Sequence, residues 1–298
     1  MSRRLQMLQV ARLARRTLGD AADLVATFVR STAAPDGGYV DRGGRRDLYY
    51  TPFACDALIA LDAHDPEPGH AAATRAWLTG LGSGAGLDLV HRACLARAWA
   101  AQPPGTLDPE VRQGIAAGFA AHQAADGGYA ARSGALRGSA YGGFIVKNAH
   151  DDLGVPLPEP ERLAASLAGL RAAGGGWANE PGQAHGSTPA TAAAVATLRS
   201  LDVPVPQGSA EWLLDRWHPA GGFVAAPDAP LPDLLSTAVA LHALDSLDAP
   251  WRDRREAVLD FVDTLWSNVG GFHGSWADDE PDVEYTFYGL LALGHASV

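Results

Sequence analysis

The sequence predicts an all-α protein, an (α/α)6 barrel or toroid of six helix-pair repeats, and three observations carry that prediction. A paired glycine is followed at once by an aromatic residue in five places: Gly37-Gly38-Tyr39, Gly127-Gly128-Tyr129, Gly175-Gly176-Trp177, Gly221-Gly222-Phe223 and Gly270-Gly271-Phe272. Recurrence at roughly 40–50 residues is the signature of a repeat array. Six helix starts recur in step with the glycines, opening at Asp47, Asp88, Ser139, Ser187, Asp233 and Asp282. No stretch shows sustained alternation of apolar and polar residues, so no sheet is expected.

Each element of a repeat has a physical reason. The glycine is expected to close the first helix in the left-handed region, which it enters without steric cost. The aromatic residue beside it then packs under the loop against the neighbouring repeat. Asp or Ser at the start of the second helix is the residue type that caps free backbone N–H groups. Second helices such as Thr237–Leu244 and Tyr288–Leu293 are small and apolar on nearly all sides, hence buried. First helices such as Arg252–Trp266 alternate charges with Val258, Leu259, Phe261 and Val262, hence half exposed. Six buried inner helices and six outer ones imply a closed double ring, read as a single domain over residues 1–298. Residues 1–19 read as a basic amphipathic helix, with Arg3, Arg4, Arg12, Arg15 and Arg16 among Leu5, Leu8, Val10 and Leu13. A solvated helix with one face on its own domain is favoured there over one lying on an anionic membrane.

Composition narrows the function classes. Hydrophobic residues are 47% of the 298, ample for a core, and the net charge of -11 argues against nucleic acid as a partner. No apolar run is long enough to span a bilayer, and Arg3-Arg4 is not followed by a signal-type apolar region; a cytoplasmic location is expected. The two cysteines, Cys55 and Cys94, make no zinc cluster by themselves and suit structural roles in a reducing compartment. In a ring, all six caps point to one mouth of a central cavity. Positive helix ends there favour an anionic group, while aromatic and small side chains below suit an apolar ligand.

The Gly-Gly-aromatic loops with six inner/outer helix pairs resemble the prenyltransferase and squalene-oxidase repeat family, from about Asp20 onward. That family includes protein prenyltransferase β subunits and class II terpene cyclases. Glu280-Pro281-Asp282-Val283-Glu284-Tyr285 resembles the zinc repeat Asp-x-Cys-Tyr of the protein prenyltransferases, with Asp282 and Tyr285 matching and Glu284 in place of cysteine. The third ligand, a histidine of the following repeat, falls on Tyr50. A second alignment matches Asp47 and His91, with Tyr49 in place of cysteine. Neither triad is intact, so the resemblance implies zinc only weakly; capping alone explains Asp47 and Asp282. Gln183-Ala184-His185-Gly186 resembles an Ala-His-Gly element that helps bind isoprenoid diphosphate, and Arg45, Arg46 and Tyr50 fall where the family has further diphosphate contacts.

Class II cyclases protonate an alkene with an Asp-x-Asp-Asp motif, which this chain lacks. Its nearest acidic cluster is Trp276-Ala277-Asp278-Asp279-Glu280, where crowding raises a carboxyl pKa and suits Asp279 or Asp282 to general-acid work or magnesium binding. The third inner helix carries Lys147, the sole lysine, with His150 on the same face; it is either a cavity-facing base or phosphate ligand, or the partner of Asp151 or Asp152. The expected function is a prenyltransferase- or terpene-cyclase-like enzyme binding an isoprenoid, its diphosphate included, or another apolar small molecule. Catalysis is assigned to Asp282, Glu284, Asp47, His91 and Tyr285, and substrate contact to Arg45, Arg46, Tyr49, Tyr50, Tyr141, Lys147 and His185. No residue is committed as a metal ligand, and zinc or magnesium remains open as a cofactor. A non-catalytic ligand-binding or protein-interaction scaffold is the alternative, and paired-carboxylate hydrolase or lyase chemistry a third.

Overall fold

In the computed structural model, which describes residues 2–63 and 69–297, two short helices precede the repeats. They are α1 (Arg3–Ala11), capped by Ser2, and α2 (Ala14–Leu18). The first repeat pairs α3 (Ala21–Ser31) with α4 (Tyr50–Ala60), joined through two-residue strands β1 (Tyr39–Val40) and β2 (Arg46–Asp47). Next come α5 (His70–Gly80) with α6 (Leu89–Ala100), and α7 (Pro109–Ala117) with α8 (Ala140–Leu153). The last three pairs are α9 (Pro160–Ala168) with α10 (Thr188–Ser200), α11 (Ser209–Leu214) with α12 (Leu234–Ser246), and α13 (Arg255–Asp263) with α14 (Val283–Ala296). Strands β3 (Phe223–Val224) and β4 (Pro232–Asp233) lie between α11 and α12. The even-numbered helices from α4 to α14 each pack on the next, and α14 packs on α4, closing the inner ring. The fold is an all-α toroid.

The capping prediction describes the inner helices well. Asp88, Ser139, Ser187, Asp233 and Asp282 each accept an amide N–H three residues on, at 2.7–3.3 Å. Asp47 does the same for the turn leading into α4, bonding the amides of Tyr49 and Tyr50.

The glycines work differently from the expectation. Outer helices end at Ser31, Leu214 and Asp263, several residues before their Gly-Gly pairs, so glycine does not close them. The pair instead forms a turn: Gly37 donates to Ala34 O and Ala34 to Gly38 O, and Tyr39 bridges back to Ala33. Gly37 sits at φ 93°, and a Cβ there would lie 2.4 Å from the Ala73 carbonyl carbon on the next outer helix. Gly270 stands in the same relation to Leu24 on α3, so the sixth repeat docks on the first. These turns are why short strands occur where none were expected.

The aromatic residues are buried as predicted, with Tyr39, Tyr129, Trp177, Phe223 and Phe272 at most 2% exposed. Four are fixed by a threonine: the amides of Tyr39, Trp177, Phe223 and Phe272 donate to Oγ1 of Thr51, Thr191, Thr237 and Thr286. Each threonine lies one turn beyond its cap, so the hydroxyl ties the loop to the inner helix.

The N-terminal segment packs one face on its own domain, as the favoured reading expects, but not as one solvated helix. It breaks into α1 and α2, and α1 packs on α14, α4 and α8 at the end where the inner helices finish. Arg4 donates to Ala100 O at the end of α6, and Arg15 to Leu61 O just past α4. Arg3 and Arg4 are buried rather than solvated. Helix α1 is a floor for the ring.

Candidate active site

Because adjacent inner helices run the same way, each offers one stripe at helical spacing to a shared interior. The stripes are Val90, Ala93, Cys94 and Arg97 on α6; Tyr141, Phe144, Ile145, Asn148 and Asp152 on α8; Leu235, Val239 and His242 on α12; and Glu284, Tyr288 and Leu291 on α14. Ala190, Ala193 and Ala196 of α10, with Tyr49 and Phe53, complete the wall, and Arg3, Arg4 and Met7 of α1 form the floor of a mostly apolar cavity of about 530 Å³. Cys94 faces this space, and burial pushes its thiol up to about 12, leaving it protonated. A second, shallower depression of about 520 Å³ lies at the mouth between Arg42, Tyr50, Asp233, Asp278, Asp282, Glu284 and Tyr285.

Glu284 belongs to both spaces. It occupies the first turn of α14, and burial raises its carboxyl to about 7. Tyr49 Oη donates to Glu284 Oε1 at 2.6 Å. That bond favours the carboxylate but does not offset desolvation. Burial also keeps the phenols of Tyr49, Tyr141 and Tyr288 protonated. The result is a neutral-range acid beside three aromatic rings, with Phe53 5.4 Å from Tyr49 and 5.8 Å from Tyr288.

Asp282 is locked at the rim. Its Oδ1 caps Tyr285 and its Oδ2 accepts from Arg42 Nε at 2.8 Å. Burial raises its pKa against those bonds. Arg42 also forks onto Asp278, holding that carboxyl below its ordinary value, and its guanidinium lies 5.7 Å from the Tyr285 ring centre. Arg42 was not singled out from sequence, where it is one of three arginines in a loop.

The remaining predicted residues disperse. Asp47 is occupied as a cap, and His91 is 39% exposed with its Nδ1 on Asp88. Arg45 pairs with Asp41 and is 85% exposed; Arg46 pairs with Asp36 and stacks on Trp77. His185 is exposed, and its neighbour Gly186 has a packing reason, since a Cβ there would meet Gly175 O and Trp177 N at 3.0 Å. Lys147 bonds Asp151 at 2.6 Å, as in the second of its two readings. None of these six residues lines the cavity or its mouth. Tyr49, Tyr50, Tyr141, Glu284, Tyr285 and Asp282 do come together there.

The residues do not fit a zinc or magnesium centre. Among the described residues, no three His, Cys, Asp or Glu side chains are grouped to hold a metal ion. Asp282 is committed to Arg42 and Glu284 to Tyr49, while His91 lies outside the cavity.

The floor holds polar groups that sequence reasoning read as helix ends or missed. Asp56 is fully buried between Arg4 and Arg97, at 2.7 and 2.8 Å. Arg97 in turn lies 4.4 Å from the Phe53 ring centre. Asp152 lines the floor, and burial raises its pKa to about 7 despite Arg4 nearby. Both α14 and α8 start at the mouth, so Glu284 and Asp152 stand ~16 Å apart along the axis at 1.5 Å per residue. Paired-carboxylate glycoside chemistry needs about 5–10 Å.

Residues 191–295 match the prenyltransferase alpha-alpha toroid domain family. No curated protein matches the chain by sequence. Among solved structures, the type II terpene cyclase MstE of Scytonema, in complex with geranylgeranyl dihydroxybenzoate, is 16% identical with a TM-score of 0.65, covering 95% of this chain and 98% of that one. A protein from Actinoplanes is 17% identical with a TM-score of 0.64, covering 94% and 99%. The protein geranylgeranyltransferase-I of Candida albicans, complexed with GGPP, is 16% identical with a TM-score of 0.55, covering 69% of this chain and 66% of that one.

Proposed function

We propose that this prenyltransferase/terpenoid-cyclase-like toroid is an isoprenoid cyclase that works by protonating an alkene, with Glu284 as the general acid. The observation that carries the reading is a buried carboxyl near neutrality at the top of an apolar, aromatic-walled chamber. Fold likeness to a terpene cyclase with a geranylgeranyl ligand supports the substrate class. Prenyl transfer from a diphosphate is the weaker reading, since Arg45, Arg46, His185 and Lys147 are exposed or paired elsewhere.

With Oε1 accepting from Tyr49, Oε2 carries the acidic proton. Its transfer to an alkene carbon leaves a tertiary cation, which the next alkene attacks to close a ring. Tyr49, Tyr141, Tyr288 and Phe53 offer π faces to the charge, and the dry chamber keeps water from quenching it. Loss of a proton from a neighbouring carbon ends the sequence, so product and substrate are isomers. Glu284 regains its proton from solvent at the mouth.

Incubation with geranylgeranyl dihydroxybenzoate and, separately, geranylgeranyl diphosphate at mildly acidic pH tests this by mass spectrometry. The expected product has unchanged mass and fewer alkenes. Release of diphosphate without cyclisation would instead favour transfer chemistry, and binding with no turnover of either compound would favour the non-catalytic scaffold.

A further inference from the structure

Helix α1 brings to the cavity floor a cation that the protein itself does not neutralise. Arg3 is 8% exposed and lines the cavity. Its one side-chain bond is Nη1 to Gln6 Oε1 at 3.2 Å, and no carboxylate pairs with it among the described residues. Of the acids on the floor, Asp56 is held by Arg4 and Arg97, and the cations acting on Asp152 are Arg4 and Arg97 rather than Arg3. Burial and the like charge of Arg199 pull the guanidinium down to about 10, the opposite of what a bound carboxylate would do.

A second observation comes from α12. His242 on α12 also lines the cavity, and its buried Nε2 has no hydrogen-bond partner. The other ring nitrogen is fixed by a relay: His295 Nδ1 donates to Asp245 Oδ2 at 2.6 Å, and His295 Nε2 lies 2.9 Å from His242 Nδ1. Asp245 accepts only, so His295 carries its proton on Nδ1 and accepts at Nε2. His242 must then carry its proton on Nδ1, which leaves an unshared lone pair on its buried Nε2. Asp245 is held in place by Trp251 Nε1 at 2.7 Å and by Arg252. Burial, Arg3 and His295 all disfavour charge on the free imidazole of His242.

A guanidinium without a carboxylate partner and an imidazole nitrogen without a donor, both on residues lining one apolar chamber, call for a group that both accepts and donates. We propose that the cavity floor is a receptor for the carboxylic acid head of an isoprenoid chain, whose carbonyl oxygen accepts from Arg3 and whose O–H donates to His242 Nε2. His295 and Asp245 are positioning residues that fix the tautomer of His242. This inference rests on the reading of the cavity as an isoprenoid chamber and adds a direction to it. The polar head lies at the floor, and the chain rises towards Glu284, ~10 Å higher by helix rise. An acid that is ionised in solution brings about one proton with it, shared between its oxygen and His242 Nε2. The charged groups facing that imidazole are Arg3 from α1 and, through His295 on α14, Asp245; Asp152 on α8 is the other titrating group of the floor.

Calorimetric titration with farnesoic acid and farnesol, which share a chain and differ in the head group, tests the receptor. Wild-type protein is expected to bind the acid at least about tenfold more tightly, the worth of a charge-assisted hydrogen bond. In buffers of differing ionisation heat, acid binding should take up about one proton. Arg3→Gln should abolish the preference while leaving farnesol binding within about twofold, and Arg3→Lys should restore part of it. His242→Gln should abolish the proton uptake. Equal affinity for acid and alcohol in the wild type overturns the head-group site while leaving the chamber standing; so does an Arg3→Gln variant that is folded and still prefers the acid. Failure of both compounds to bind overturns the chamber and the receptor together.

Discussion

At the residue scale, the argument turns on why a glutamate at the start of α14 is kept near neutrality. The folded value of about 7 lies above the ordinary 4.5. The folded protein therefore keeps a proton that the unfolded chain has lost between those values. Linkage fixes the sign: stability contributed by this group falls as pH rises from about 4.5 to about 7 and is level beyond. Glu284→Gln, which cannot ionise, should escape that loss, so its melting temperature relative to wild type should climb between pH 5 and pH 7.5. Parallel melting curves would show that Glu284 titrates normally and is no general acid. Turnover should move the same way, falling above pH 7 in the wild type. In Glu284→Gln it should drop by about 10²–10⁴-fold, the usual worth of a general acid, while substrate affinity changes little. Arg42 governs the neighbour instead. Arg42→Gln should leave Asp282 and Asp278 crowded and raise both, with Asp278 changing most because Arg42 is the chief cause of its low value. NMR titration of the carboxyl carbons reads both shifts.

At the scale of elements, a threonine hydroxyl joins the loop to the inner helix in four of the six repeats. Thr191 Oγ1 accepts from the Trp177 amide, and Thr237 and Thr286 do the same for Phe223 and Phe272. Thr191→Val keeps shape but leaves a buried N–H without a partner, which should cost about 1–3 kcal/mol. Chemical denaturation should show this as a lower midpoint at unchanged slope; no change would mean that the loop is held by Trp177 packing alone. The toroid was legible in the sequence because helix caps and glycine turns are local, and local chemistry repeats with the fold. Five of the six proposed inner-helix caps are seen as drawn, while Asp47 caps the turn just before its helix. The threonines stood in those same segments, but their partners lie 12–14 residues upstream and nothing local announces them. The site was half legible for the same reason. Tyr49, Tyr50, Tyr141, Asp282, Glu284 and Tyr285 could be placed by register at the mouth. Arg45 and Arg46 could not be kept there, because their orientation depends on Asp41 and Asp36, which register does not read, whereas the pairing of Lys147 with Asp151 was one of the two readings the sequence offered. Asp152 was hidden because a helix-end residue reads as solvated until something covers that end, and His242 because it stands in a segment read as apolar and buried.

At the scale of the molecule, what covers it is α1, and the ring has a closed end because of it. The charged joint is Asp56, fully buried and shared by Arg4 of α1 and Arg97 of the wall. Removing the carboxylate by Asp56→Ala leaves two guanidinium groups in a low-dielectric floor, a change that typically costs about 3–5 kcal/mol. The molecule has a cheaper response than global unfolding. Helix α1 is nine residues long and its buried residues are Arg3, Arg4, Leu8 and Ala11, so undocking it would return Arg4 to water. The loss in global stability is then capped by the cost of undocking α1, and the rest appears as local opening. Hydrogen exchange read by mass spectrometry should show residues 3–11 losing protection in Asp56→Ala while α10 and α12 keep theirs. Farnesoic acid should lose its advantage over farnesol in the same variant, because Arg3 leaves the floor with the helix. Retained protection across α1, with a full loss of global stability, would place the floor's anchorage in its apolar face and make the ion triad a feature of the wall.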